Sequence, residues 1–164
     1  MHSKEAFSEQ EWLDLEKSII WMFLAIAGAD KRIDDNEISA LTEIKKHNDK
    51  IQNQLAREIL SGTDFSVSII SSFLSKDQIE IRKSLRELAD LLENKIDHNS
   101  ALLFKKTLLA MGTFIANASG DALLPNISNE ELQTLTEISL YMRITRSEMH
   151  SEPTVEDIYK NLFI

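Results

Sequence analysis

Four carboxylates crowd one short stretch of the chain, Asp30, Asp34, Asp35 and Glu37. Hard oxygen donors grouped so closely suit Mg²⁺ or Ca²⁺ better than a transition metal. Asp30 falls where the first helix is expected to end, beside the negative pole of the helix dipole, so its charge is locally unfavourable unless a cation offsets it. The stretch is not an EF-hand loop, because it lacks the alternating acids and the central glycine, and the twelfth residue counted from Asp30 is Leu41. Asp34 and Glu37 also have the spacing of a capping box, and Asp30 could pair with Lys31 or Arg32. Two readings therefore stand for these acids: helix capping alone, or a site for a divalent cation or a cationic partner.

Other chemistries find little support. The absence of cysteine removes thiol catalysis, zinc-thiolate sites and disulfides. His2, His47, His98 and His150 are scattered near termini or helix ends and are assigned no ligand role. There is no glycine-rich phosphate loop, no histidine at helical spacing from another ligand and no nucleophile with an evident base, so no catalytic residue is predicted. A net charge of -9 without a Lys/Arg stripe argues against a phosphate backbone as ligand. No nucleic-acid partner is expected.

The elements that must position these residues are helices. Four glycines and two prolines are too little punctuation for a strand-and-turn protein, and apolar residues recur at three- and four-residue spacing almost throughout. The pattern predicts an all-α fold, a compact bundle of about seven helices in a single domain over 1–164. A Ser8/Glu11 capping box opens the first helix, whose stripe Trp12, Leu15, Ile19, Phe23 and Ile26 marks it as central. Asp34 opens the next helix, which ends in the cations Lys45, Lys46 and His47. A third is expected around 50–60, stopped by Gly62, then a short helix to Leu74 stapled by Phe65 and Ile70. Ser75 and Gln78 are expected to cap a long helix with the stripe Ile81, Leu85, Leu88, Leu92 and Ile96. A second strongly apolar helix follows over about 99–119, then one capped by Ser128 and Glu131. The stretch Met1 to Ala6 has no apolar region and the longest apolar run, Ile19 to Ala27, is far short of a membrane span, which predicts a cytoplasmic protein with no membrane insertion.

Two of these segments repeat. Ile26-Ala27-Gly28-Ala29-Asp30 aligns with Ile115-Ala116-Asn117-Ala118-Ser119, and Ile33 to Ile38 with Ile127 to Leu132. The match continues from Leu41-Thr42-Glu43-Ile44 to Leu135-Thr136-Glu137-Ile138. The repeated unit is a helix-loop-helix, with core copies over about 9–47 and 99–142, and two such units could pack about a pseudo-twofold axis. The string Ala27-Gly28-Ala29-Asp30-Lys31-Arg32-Ile33-Asp34-Asp35-Asn36-Glu37 resembles the signature of the TerB-like tellurite-resistance family, and the second copy resembles it again. The resemblance implies an all-helical TerB domain, a non-enzymatic role in resistance to tellurite and related stress, and acidic loops that bind a divalent cation. Asp30, Asp34 and Glu37 would then be the ligands of the first loop, and Asp121 and Glu131 those of the second. The chain departs from the signature at Lys31, where the family has glycine, and at Ser119, where it has aspartate.

A rival reading needs no metal. Trp21 lies opposite the Trp12 stripe, either in a helix buried on two sides or as an aromatic anchor for a partner. Past Pro153 and Thr154, the residues Val155, Ile158, Tyr159, Leu162 and Phe163 form an amphipathic helix over about 154–163, too short to be stable alone. It is expected to dock on the domain or on a partner. On this reading the protein is a protein-interaction module or scaffold that uses its helical faces, in a cytoplasmic or membrane-associated complex.

Overall fold

A computed structural model describes residues 3–27, 35–64, 66, 77–118 and 129–164. Within them the chain forms eight α-helices: α1 (Glu9–Ala27), α2 (Asp35–Lys46), α3 (Gln54–Gly62), α4 (Gln78–Lys95), α5 (His98–Ala118), α6 (Asn129–Tyr141), α7 (Arg146–His150) and α8 (Val155–Phe163). Short 3-10 turns lie at Ser3–Ala6 and Asn48–Lys50, and no strand occurs among the described residues. The all-α class is as the spacing predicts. No helix among the described residues is long and apolar enough to cross a membrane.

Helix α1 is central because its second half is apolar nearly all round. Leu15, Ile19 and Phe23 are buried on the predicted stripe, and Trp21, Met22 and Leu24 are buried off it. Trp21 therefore belongs to a helix buried on two sides. Helix α1 packs most extensively on α4 and α5, while α5 carries α8 and α2 on its other flanks. Leu85, Leu88 and Leu92 of α4 and Phe104, Leu108, Met111 and Ile115 of α5 join one contiguous core with α1. Each such side chain contributes about 1.5–3 kcal/mol by leaving water.

Local signals set the ends of the helices. The Ser8/Glu11 box forms as expected, Ser8 N–H donating to Glu11 at 2.9 Å and Glu11 N–H to Ser8 Oγ at 3.2 Å. Three ends differ from the sequence reading. Helix α3 starts later, where Asn53 Oδ1 accepts from Ala56 N–H. Gly62 is its last helical residue and not a left-handed terminator, since no described glycine has positive φ. Helix α4 is capped by Asp77, whose carboxylate accepts from Glu80 N–H at 2.8 Å, so the expected Ser75/Gln78 box gives way to a single cap two residues further on. The expected short helix to Leu74 lies outside the described residues.

Helix α6 ends in a Schellman motif. Ile144 N–H donates to Ser139 C=O and Arg143 N–H to Leu140 C=O, both at 3.0 Å. Arg143 takes the left-handed conformation at φ 57°, and Ile144 is buried beneath it. The turn delivers the chain to α7, which the sequence reading passed over although Thr145 and Glu148 close a complete capping box around its start. A second box, Thr154 with Asp157, opens α8.

Helix α8 docks on the domain. Leu162 is buried, Phe163 stacks on Phe114 of α5 with ring centroids 4.0 Å apart, and Tyr159 meets Phe163 edge-on. These apolar contacts supply the stability that nine residues of helix lack alone.

Candidate functional site

The acidic positions come first. Asp30, Asp34 and Asp121 lie outside the described residues, and Glu131 lies in the first turn of α6 with its side chain outside them. Glu37, in the first turn of α2, is buried at 6% exposure, unusual for a carboxylate. Among the described residues no group of three or more His, Asp or Glu side chains has a metal-holding arrangement.

Polar chemistry gathers instead where α4, α5 and α7 meet. Lys105 and Lys106 of α5 are both 1% exposed. Lys105 Nζ lies 2.9 Å from Glu93 Oε1 of α4. Glu93 also receives His98 Nδ1 at 3.0 Å, and the other ring nitrogen of His98 is bonded to Glu148 of α7. Hydrogen bonds to Glu93 and then Glu148 raise the His98 pKa above its ordinary value. Burial alone would raise that of Glu93, but the bonds from His98 and Lys105 outweigh it and hold the carboxyl low. The Thr145 backbone N–H is the main reason the Glu148 carboxyl is also held low. The network joins three helices through one imidazole.

Lys106 and Ser151 have the makings of a serine-lysine nucleophile, with Nζ 2.9 Å from the hydroxyl oxygen and burial pushing the lysine pKa down. The hydrogen bonds assign them another task. Lys106 Nζ donates also to Ser151 C=O at 2.8 Å and Pro153 C=O at 3.1 Å, so all three ammonium protons are engaged. Ser151 directs its own proton to Glu148 C=O at 2.7 Å, away from the lysine. Lys106, held by these three contacts, clamps the turn between α7 and α8.

The two helices joined by this turn border a cavity. Helices α5, α6, α7 and α8 enclose a half-open groove of about 780 Å³ whose walls include Leu109, Leu135, Ile144, Met149, Val155 and Tyr159. Leu140 and Ile164 stand on it at 69% and 88% exposure, among the few large apolar side chains the described surface presents. Arg146, Glu156 and Lys160 supply charge on its lining, and Lys160 pairs with Glu156 at 3.0 Å. A concavity of this size, apolar with a few placed polar groups, is the usual form of a ligand site. Its walls come from four helices, so no local pattern marks the groove in the sequence, and only the amphipathic spacing of α8 is legible there.

Comparison with protein-family models, with curated proteins and with solved structures finds no match to this chain in any of the three.

Proposed function

We propose that this protein is a non-enzymatic binding module whose site is the apolar groove between α5, α6, α7 and α8. The observation that carries this reading is the groove itself, a volume suited to a ligand, with Leu140 and Ile164 left exposed on it. Contiguous apolar surface that a folded chain leaves open marks a binding surface more often than an accident of packing. The polar networks support this role by holding α7 and α8 in place and performing no chemistry of their own. The test is titration with the apolar dye anilinonaphthalene sulfonate. Saturable one-to-one binding to the folded chain is expected, with loss in Leu140→Glu while the circular dichroism stays unchanged. Dye binding that does not saturate, or that ignores the substitution, sinks the proposal.

A second reading retains the TerB-like resemblance, a cytoplasmic stress-response role with a divalent cation, Ca²⁺ or Mg²⁺, held by the acidic loops. Two observations favour it. Helices α2 and α6 start at aligned positions of the repeat, Asp35 and Asn129. Helix α2 packs on α5, and α6 packs on α1 as well as on α4 and α5, so each second helix of the repeat touches the first helix of the other copy. Calorimetry with Ca²⁺, Mg²⁺ and Zn²⁺ on the wild type and on Asp30→Ala tests this reading. Saturable binding lost in the variant supports it, and no binding, or binding the variant retains, removes it.

A further inference from the structure

The groove is not uniformly apolar, and its polar atoms are specific. Asn117 of α5 donates from Nδ2 to the Tyr159 hydroxyl oxygen of α8 at 2.9 Å. Its own Oδ1 is buried with no hydrogen-bond partner among the described residues. The Tyr159 oxygen accepts that bond, so its proton remains available to donate. Other hydroxyls on the lining are already used, since Thr113 donates to Leu109 C=O and Ser139 to Thr136 C=O within their own helices. The Asn117 Oδ1 acceptor and the Tyr159 hydroxyl donor are therefore left side by side among apolar walls, next to the second amide proton of Asn117. If the amide is turned over, the pair still leaves one donor and one acceptor.

That combination is the complement of a peptide group, whose N–H and C=O would satisfy both atoms at once. A buried acceptor without a partner is destabilising, and an aliphatic chain in the groove would leave it unsatisfied. A helical ligand has its peptide groups bonded internally, which points to an extended segment. Charge adds a second element. Arg146 on the lining is exposed and has no ion-pair partner among the described residues, whereas Lys160 is matched by Glu156. A second copy of the chain is disfavoured as occupant by its net charge of -9, which sets two copies against each other.

We propose that the groove takes an extended, apolar peptide segment of a partner protein, held by a peptide group on Asn117 and Tyr159 and by an acidic side chain on Arg146. This rests on the groove being a binding site. The experiment is selection of a phage-displayed library of random linear peptides on the full chain, with counter-selection on Leu140→Glu. Enriched sequences should be apolar with an Asp or Glu, and the synthetic peptide of the dominant clone should bind in solution. Asn117→Leu and Tyr159→Phe should each weaken that peptide about tenfold, the worth of one hydrogen bond near 1.4 kcal/mol. Arg146→Ala should weaken the acidic peptide and leave its amide analogue unaffected. Asn117→Leu removes a buried unpaired acceptor, so it should fold as well as the wild type; if it does not, Tyr159→Phe carries the test. No groove-dependent clone, or affinities indifferent to both substitutions, overturns the peptide. So do oleate binding that ignores Asn117→Leu and a dimer that Leu140→Glu dissociates, which would give the groove to a lipid or to a second copy. Saturable, Leu140-dependent dye binding without peptide binding would fell this inference alone, and absence of both would fell the groove reading with it.

Discussion

The Nε2 atom of His98 is hydrogen-bonded to the carboxylate of Glu148, fifty residues along the chain. With Nδ1 on Glu93, the ring satisfies two acids only when both nitrogens carry protons. Neutral imidazole has one donor, so on deprotonation one of the two carboxylates faces a lone pair.

This sets a pH window for α7. His98 is raised in the folded state, so its contribution is full below its ordinary value near 6.5 and is lost as pH rises through the higher folded value. Glu93 and Glu148 are lowered, so theirs are present above about 4.5 and are lost as pH falls through the folded values. Asp97, beside the ring, and Lys105, on Glu93, complete its charged surroundings. The stability difference between wild type and His98→Gln should therefore peak between about pH 4.5 and 6.5 and shrink on either side. Because the ring is about half exposed, the difference should not exceed about 1 kcal/mol. Urea denaturation at a series of pH values measures it, and a flat difference across the range would refute the bridge.

Lys106 should matter more than His98 because it is buried. Lys106→Met leaves two carbonyls and a hydroxyl of the turn between α7 and α8 without their donor. Hydrogen bonds to a charged group contribute about 1.5–3 kcal/mol each at most, and they are not additive. A loss near 3 kcal/mol is expected, together with faster proteolysis at 151–153. Lys106→Arg should not rescue, since the planar guanidinium cannot aim three donors at those acceptors. A variant as stable as the wild type would show that the clamp is dispensable.

These residues explain what the sequence hides. Ser8/Glu11 and Thr154/Asp157 are legible because a capping box closes over four residues, and the α1 stripe is legible because periodicity is local. Thr145/Glu148 is equally local but opens a helix of only five residues, too short to show a periodic stripe. Ser75/Gln78 and Asp77/Glu80 both have the spacing of a cap, so local sequence does not choose between them, and the helix starts after Asp77. Lys105 and Lys106 look like a solvated pair, and only distant partners, Glu93 and the carbonyls near 151–153, make their burial tolerable. Of the five acids proposed as ligands, Glu37 alone has a described side chain, and its burial is the single spatial fact gained there.

Docking of α8 assigns it to the core, so its residues should carry stability in proportion to their burial. Leu162→Ala should cost about 3 kcal/mol, within the range for buried leucines. Phe163→Ala should cost less, because Phe163 is only partly buried and its stacking on Phe114 adds about 1 kcal/mol. Denaturant melts rank the two, and the reverse order would place α8 on a partner surface.

The groove and the core test each other through Tyr159. Tyr159→Phe removes a hydroxyl that accepts from Asn117 yet leaves the ring in contact with Phe163. Its stability change should stay under about 1.5 kcal/mol, the net worth of one hydrogen bond. Phe114→Ala takes away the ring on which Phe163 stacks and should cost at least twice as much. Dye binding should separate the two variants in the same sense, kept in Tyr159→Phe because apolar walls suffice for the dye, and lost in Phe114→Ala because α8 no longer holds its wall in place. If Phe114→Ala kept the dye while losing stability, the groove would not depend on α8.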